Sequence, residues 1–199
     1  MLAPFGLFAA AADESPESQA ALAALCPHEG AIALVEGFEA AAPPGLRVID
    51  RGICVQMVAD SAAPGGPGEP GVAYTALGDA DASEMMVLAS LTRPGPFFER
   101  THELGGFVGV RVDGRLAAMA GERLKLPGFT EVSGVCVHPD FRGAGYAREL
   151  SRLVAGRIRA RGETPFLHAF ANNTPAITLY ETLGFRLRTT VQLTVLARA

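Results

Sequence analysis

The spacing of apolar and polar positions changes several times along the chain. Residues 13–25 (DESPESQAALAAL) start acidic and run on as an Ala/Leu-rich segment, which predicts a helix. Asp13 or Ser15 would cap it, with Glu14 and Glu17 near its positive end. Three short β-type runs follow at 31–35, 46–49 and 53–58, punctuated by Pro43-Pro44-Gly45 and Arg51-Gly52. Residues 61–70 (SAAPGGPGEP) hold three prolines and three glycines, so neither helix nor strand continues through them. A linker there divides the chain into an N-terminal part, 1–70, and a larger part, 71–199.

Beyond the linker the pattern is stronger. A short strand is predicted at 72–77 and a helix at 82–91, with Met85, Leu88, Ala89 and Thr92 along one face. Asp81 with Glu84 three residues later resembles a capping box. Arg93-Pro94-Gly95-Pro96 stops that helix and opens a loop to Glu103. Residues 107–112, Asp113-Gly114 and 115–123 read as a hairpin, because Asp-Gly suits a two-residue turn. Pro127-Gly128 leads into a third strand at 131–137. Residues 145–161 form the clearest helix: Ala147, Leu150, Val154 and Ile158 make an apolar stripe, and Gly162 is placed to end it. A strand at 165–170, a helix at 174–183 with Pro175 near its start, and an alternating strand at 191–196 complete the chain. From residue 72 the order is β-α-β-β-β-α-β-α-β. This predicts an α+β fold, a mixed and mostly antiparallel sheet flanked by helices.

Composition narrows the class. With 199 residues, 49% hydrophobic and 19% charged, the chain suits one globular domain, or one domain with an added lobe. The net charge of −4 argues against nucleic acid or an anionic membrane as partner. Cys26, Cys54 and Cys136 are odd in number and lack a CxxC, so a reducing cytoplasm is the simplest expectation. The apolar start, MLAPFGLFAAAA, lacks the basic flank of a signal peptide and is expected to pack on a core or fray.

Candidate chemistry concentrates after the third strand of the hairpin series. The strand ending at Val137 turns through His138-Pro139, passes Gly143 and Gly145 and opens a helix. Such a turn lets backbone N–H groups converge on a phosphate at the positive end of a helix. A P-loop is excluded, because no Gly-Lys-Ser/Thr occurs. A dinucleotide fingerprint fails at its third glycine, where Arg148 stands, and the strand before it belongs to a β-meander.

What remains resembles the GNAT superfamily of acyl-CoA-dependent N-acyltransferases. Its Arg/Gln-x-x-Gly-x-Gly/Ala signature is met by Arg142, Gly145 and Ala147, preceded by Val135-Cys136-Val137-His138-Pro139. A second signature is met by Asn173, Ala176, Tyr180, Gly184 and Phe185. The resemblance covers about residues 72–199. It implies a GNAT-like fold with 1–70 as an extension: a small lobe or a degenerate half-domain. It also implies acetyl-CoA as co-substrate, an acetyl transfer to a primary amine without a metal, and an acceptor that is a small molecule or a peptide. It leaves room for a homodimer.

The same resemblance implies roles. Backbone groups of Val135, Cys136 and Val137 would hold the pantetheine arm. Arg142, Gly143, Ala144, Gly145, Tyr146 and Ala147 would hold the pyrophosphate, with Asn173 orienting the arm, capping the following helix, or both. Tyr180 would serve as general acid toward the departing thiolate. Glu131 or Glu122, expected to lie close together and so to raise one pKa, would be the base. A backbone N–H near Val135 or Cys136 would polarise the thioester carbonyl. Cys136 is expected to be a buried small residue rather than a nucleophile, and His168 a structural or pocket-lining residue. Phe97, Phe98 and His102, in the loop 93–103, would fold onto the core or wall an acceptor pocket. A protein that binds acyl-CoA without turnover is the alternative.

Overall fold

The computed structural model describes residues 4–59 and 72–199; the linker expected at 61–70 lies outside the described residues. The elements are α1 (Pro16–Ala24), β1 (Ile32–Glu36), β2 (Leu46–Ala59), β3 (Tyr74–Leu77), α2 (Ala82–Thr92), β4 (Phe107–Val112), β5 (Arg115–Leu126), β6 (Phe129–Val137), α3 (Tyr146–Ala160), β7 (Thr164–Phe170), α4 (Thr174–Thr182) and β8 (Phe185–Arg198). From residue 74 on, the order of helices and strands is the one predicted. The architecture is α+β: one sheet of eight strands in the order β1-β8-β2-β7-β6-β5-β4-β3, antiparallel at every junction but β6–β7.

Local chemistry explains most boundaries. Ser15 caps α1, accepting from the Ser18 N–H at 3.2 Å. Asp113 and Gly114 both adopt positive φ (50° and 78°), the geometry that a two-residue hairpin turn requires. Gly162 ends α3 with φ 78°. Leu150, Val154 and Ile158 on α3 are fully buried against β4, β5 and β6, each contributing about 1.5–3 kcal/mol by leaving water. Met85, Leu88 and Ala89 of α2 pack on the opposite face, with Phe107, Met119 and Cys136.

Three local expectations are corrected. Arg51-Gly52 does not end a strand: residues 46–59 form one strand that absorbs the irregularity as a register shift between Val48 and Asp50. Asp81 does not cap α2 through its side chain. Its carboxylate instead accepts from the Gly78 N–H at 3.0 Å and pairs with Arg111, which also binds Glu84. The closing strand is longer than 191–196 because it pairs along β2 from Arg198 to Phe185.

The strands before the linker enter the same sheet as those after it. β2 runs antiparallel between β7 and β8, and β1 pairs with the outer edge of β8. The described strands of 1–59 and the sheet of 72–199 therefore share hydrogen bonds.

The site is positioned by one break in the sheet. β6 and β7 are parallel neighbours joined through α3, and they pair only at Phe129–Thr164, Thr130–Pro165 and Glu131–Phe166. Past that point β6 is bonded to β5 alone and β7 to β2 alone. A cleft opens between them. On β6, Gly134 and Val135 together oppose Ala120, a β-bulge with Gly134 at φ 64°.

Candidate active site

Two clefts meet where β6 and β7 diverge. The larger, about 640 Å³, runs from β6 over the glycine turn to α4. Val135, Cys136, Val137, Arg142, Gly143, Gly145, Tyr146, Ala147 and Asn173 line it; of the residues expected at this site only Ala144 does not. The smaller, about 160 Å³, is lined by residues of β6, β7, β2 and β8 among others. Arg93, Pro94, Val135, Asn173, Ala176 and Tyr180 line both.

The turn leaves its backbone uncovered. Gly143 and Gly145 have φ near 80° (84° and 79°), and a Cβ at either would meet no protein atom within 4 Å. Both glycines line the larger cleft. Gly145 is the N-cap of α3, so the first-turn N–H groups lack intrahelical acceptors and carry the positive end of the helix. The exposed side chains of Arg142 and Arg148 flank them.

Asn173 caps α4, accepting from the Ala176 N–H at 3.3 Å, and it also lines the cleft. Tyr180, two turns on, is 9% exposed and packs edge-on against Phe185 with centroids 6.0 Å apart. Burial, reinforced by the neighbouring Cys136, pushes its phenol up to about 12. The hydroxyl therefore keeps its proton at neutral pH. Cys136 is itself buried against α2, and burial pushes its thiol up to about 11, so it is a poor nucleophile there.

The two carboxylates are not near each other in the way expected. Glu122 pairs across β5–β6 with Val132, so it shares Val132's face and not that of the adjacent Glu131. On that face Glu122 accepts from Arg161 Nη1 at 2.9 Å. Glu131 is fully buried and forms a two-pronged pair with Arg123, Nε and Nη2 each donating at 2.8 Å. Its Oε1 also lies 2.8 Å from His168 Nδ1. Burial alone would raise the Glu131 pKa, but the Arg123 charge and the bonds from His168 and Arg123 outweigh it and hold it at about 2. The expected upward shift is thus replaced by a downward one. Neither carboxylate lines either cleft.

His168 does line the smaller cleft, and a chain of side chains fixes it. Gln56, its cross-strand partner on β2, places Nε2 3.0 Å from His168 Nε2, and Arg188 Nη1 holds the Gln56 oxygen at 2.6 Å. With Gln56 donating to Nε2, the imidazole proton sits on Nδ1 and points at Glu131.

Phe97, Phe98 and His102 line neither cleft. Phe97 stands edge-on to Phe107 at 5.6 Å, the Phe98 N–H donates to Thr101 Oγ1 at 2.7 Å, and the buried His102 contacts Asp79 at 3.0 Å. Asp79, His102 and Glu103 also come within metal-ligand reach of one another there, away from the lining of either cleft. The wall of the smaller cleft comes instead from Pro94, Gly95 and Pro96, and from residues the periodicity did not single out. Phe8 is one: it bridges to Ala33, and its ring lies 4.6 Å from the Arg123 guanidinium. Cys54 and Leu193, from β2 and β8, are others. No local motif marks them, because long-range pairing brings them here.

Comparison with known proteins agrees with this architecture. Residues 107–194 match the FR47-like protein family. A solved structure from Novosphingobium aromaticivorans, of a protein assigned to the GNAT acetyltransferase family, is 46% identical; the match covers 99% of this chain and 86% of that one, with a TM-score of 0.89. A GCN5-related N-acetyltransferase from Kribbella flavida shares the fold at 19% identity (84% and 67% covered, TM-score 0.54). So does the ribosomal-protein-S18-alanine N-acetyltransferase of Escherichia coli at 22% identity (64% and 93%, TM-score 0.54). No curated protein matches the chain.

Proposed function

The chain belongs to the GNAT family of acetyltransferases, and on that premise we propose that it moves an acetyl group from acetyl-CoA to a primary amine by direct attack within a ternary complex. The observation that carries this reading is the pair of clefts meeting at Val135 and Tyr180. One is long and ends in a phosphate cradle. The other is small, walled off by β2, and opens on the same point. A donor in one cleft and an acceptor in the other would meet there.

In this reading the unpaired edge of β6 bonds the pantetheine arm as an added strand would. The first-turn amides of α3, with Gly143 and Gly145 leaving room, hold the pyrophosphate. The amine nitrogen forms a bond to the thioester carbonyl carbon and the C–S bond breaks. The sulfur leaves as a thiolate, and the Tyr180 hydroxyl supplies its proton or a hydrogen bond. The nitrogen must shed a proton. Glu131, held at about 2 by Arg123 and His168, does not accept one at neutral pH. We assign the base role to His168 Nε2, which takes the proton through water once the Gln56 N–H gives up its bond to that nitrogen, and give Glu131 the task of holding the ring. Glu122 takes no part in the transfer.

The test is thiol release from acetyl-CoA in the presence and absence of a panel of amines, alongside calorimetric CoA binding. Amine-dependent release supports the transferase reading. Tight CoA binding without release from any amine would support the acyl-CoA-binding alternative. Among the described residues no helix is long and apolar enough to cross a membrane.

A further inference from the structure

If the smaller cleft receives the acceptor, as proposed above, its lining limits the acceptor's chemistry. Its volume of about 160 Å³ is close to that of a cavity that takes one benzene-sized group. One wall is apolar: Phe8, Val35, Cys54, Phe170 and Leu193. Apart from the Cys54 thiol, the ionisable side chains in the lining are Arg93, Arg123, His168 and Tyr180; no aspartate or glutamate is among them. Arg123 is already neutralised by Glu131. Arg93 lines both clefts, is exposed, and pairs with no carboxylate among the described residues. A polyamine or a second cationic group would find nothing here to neutralise it.

Arg93 also stands where its own backbone disfavours it. It ends α2 in the left-handed region, φ 50° and ψ 59°, with its N–H bonded to Ala89 O at 2.8 Å. Helix ends of that shape favour glycine. The following Pro94 pushes its predecessor toward extended backbone, away from the observed angles. A side chain kept at a strained position, at the junction of two clefts, points to a ligand for that side chain.

We propose that the acceptor is a small amine bearing a carboxylate and an apolar side chain, an amino acid in chemical class, with Arg93 pairing its carboxylate. The apolar side chain fills the wall from Phe8 to Leu193. The amine is left facing Val135 and Tyr180.

The test uses the full chain with acetyl-CoA, the common L-amino acids, their carboxamides and spermidine, in wild type, Arg93→Gly and Arg93→Lys. An apolar amino acid should be the best acceptor, and its carboxamide should show a KM at least about tenfold higher, since a charge-assisted bond is lost. Arg93→Gly should raise the KM for the amino acid by about as much. It should not raise the KM for the carboxamide, and its Tm should rise, because glycine suits the backbone; a folding defect would lower it. Arg93→Lys should recover part of the loss. Equal use of acid and carboxamide, preference for spermidine, or a KM effect confined to acetyl-CoA would overturn the assignment while leaving acetyl transfer standing. No thiol release with any amine, from a protein that still binds CoA, would overturn the transfer reading and this assignment with it.

Discussion

His168 Nδ1 lies 2.8 Å from Glu131 Oε1, and the same carboxylate is gripped by Arg123 through two further bonds of 2.8 Å. The pair joins β6 to β7 close to the last point where those strands touch, Glu131–Phe166. One buried charge thus secures the place where the sheet opens and orients the ring that faces the smaller cleft.

Glu131 makes stability depend on pH. Its folded pKa, about 2, lies below the ordinary 4.5, so the stabilisation is complete above the ordinary value and is lost as pH falls from there toward 2. The amount at stake is on the order of 3 kcal/mol. Glu131→Gln should unfold at lower urea at pH 7, because Arg123 keeps its charge without a partner. Between pH 7 and pH 3 it should lose less stability than wild type, the exposed carboxylates cancelling in the comparison. Parallel pH profiles for the two proteins would refute the role given to this carboxylate.

His168→Asn should lower kcat while leaving CoA affinity intact, since the ring lines only the smaller cleft. The deficit should shrink as pH rises, because more of the amine is then already neutral. A deficit constant across pH would mean that His168 only shapes the cleft. Glu122→Gln, by contrast, should leave kcat unchanged.

Tyr180→Phe should reduce kcat by about 10²–10⁴-fold, the usual worth of a positioned acid, with CoA binding unchanged by calorimetry. Burial and the nearby Cys136 push this phenol to about 12. Activity should therefore not decline through the ordinary phenol range of about 10. An unaltered kcat in the phenylalanine variant would leave Tyr180 as a core aromatic.

Gly145→Glu should weaken CoA binding by about a hundredfold or more, a loss of about 3 kcal/mol. Nothing in the protein occupies the space beside this glycine, so the new side chain enters the cleft, and its charge opposes a phosphate. Unchanged CoA affinity would show that the turn is only a turn.

Gly121→Ala tests packing beneath the site. A Cβ there would come 2.4 Å from Phe107 Cγ, and one at Gly134 2.8 Å from Phe107 Cε1. Either alanine should destabilise the fold by about 1–3 kcal/mol, read by chemical denaturation. Phe107→Leu added to Gly121→Ala should recover part of that loss. No recovery would place the clash elsewhere.

The features legible in the sequence were those with local causes. A turn needing φ near 80° called for Gly143 and Gly145, and a helix start called for Asn173. The apolar period of Leu150, Val154 and Ile158 marked α3 and its buried face. These positions, with the element order from β3 to β8, carried the family resemblance and the larger cleft.

What only the tertiary structure decided came from pairing between distant strands. Nothing in residues 46–59 says that they lie between β7 and β8, yet that insertion walls the smaller cleft with Cys54 and brings Gln56 to His168. Register mattered as much as partner. Glu131 and Glu122 look like neighbours across a short turn, but strand alternation and the shift between Glu122 and Lys125 send them to opposite faces, each to its own arginine. Phe97 stands edge-on to Phe107 and His102 meets Asp79, contacts that no periodicity within the loop announced. Side chains alternate strictly along a strand, so a single-residue offset exchanges core for solvent; that offset is set by the whole sheet and not by any one segment of the chain.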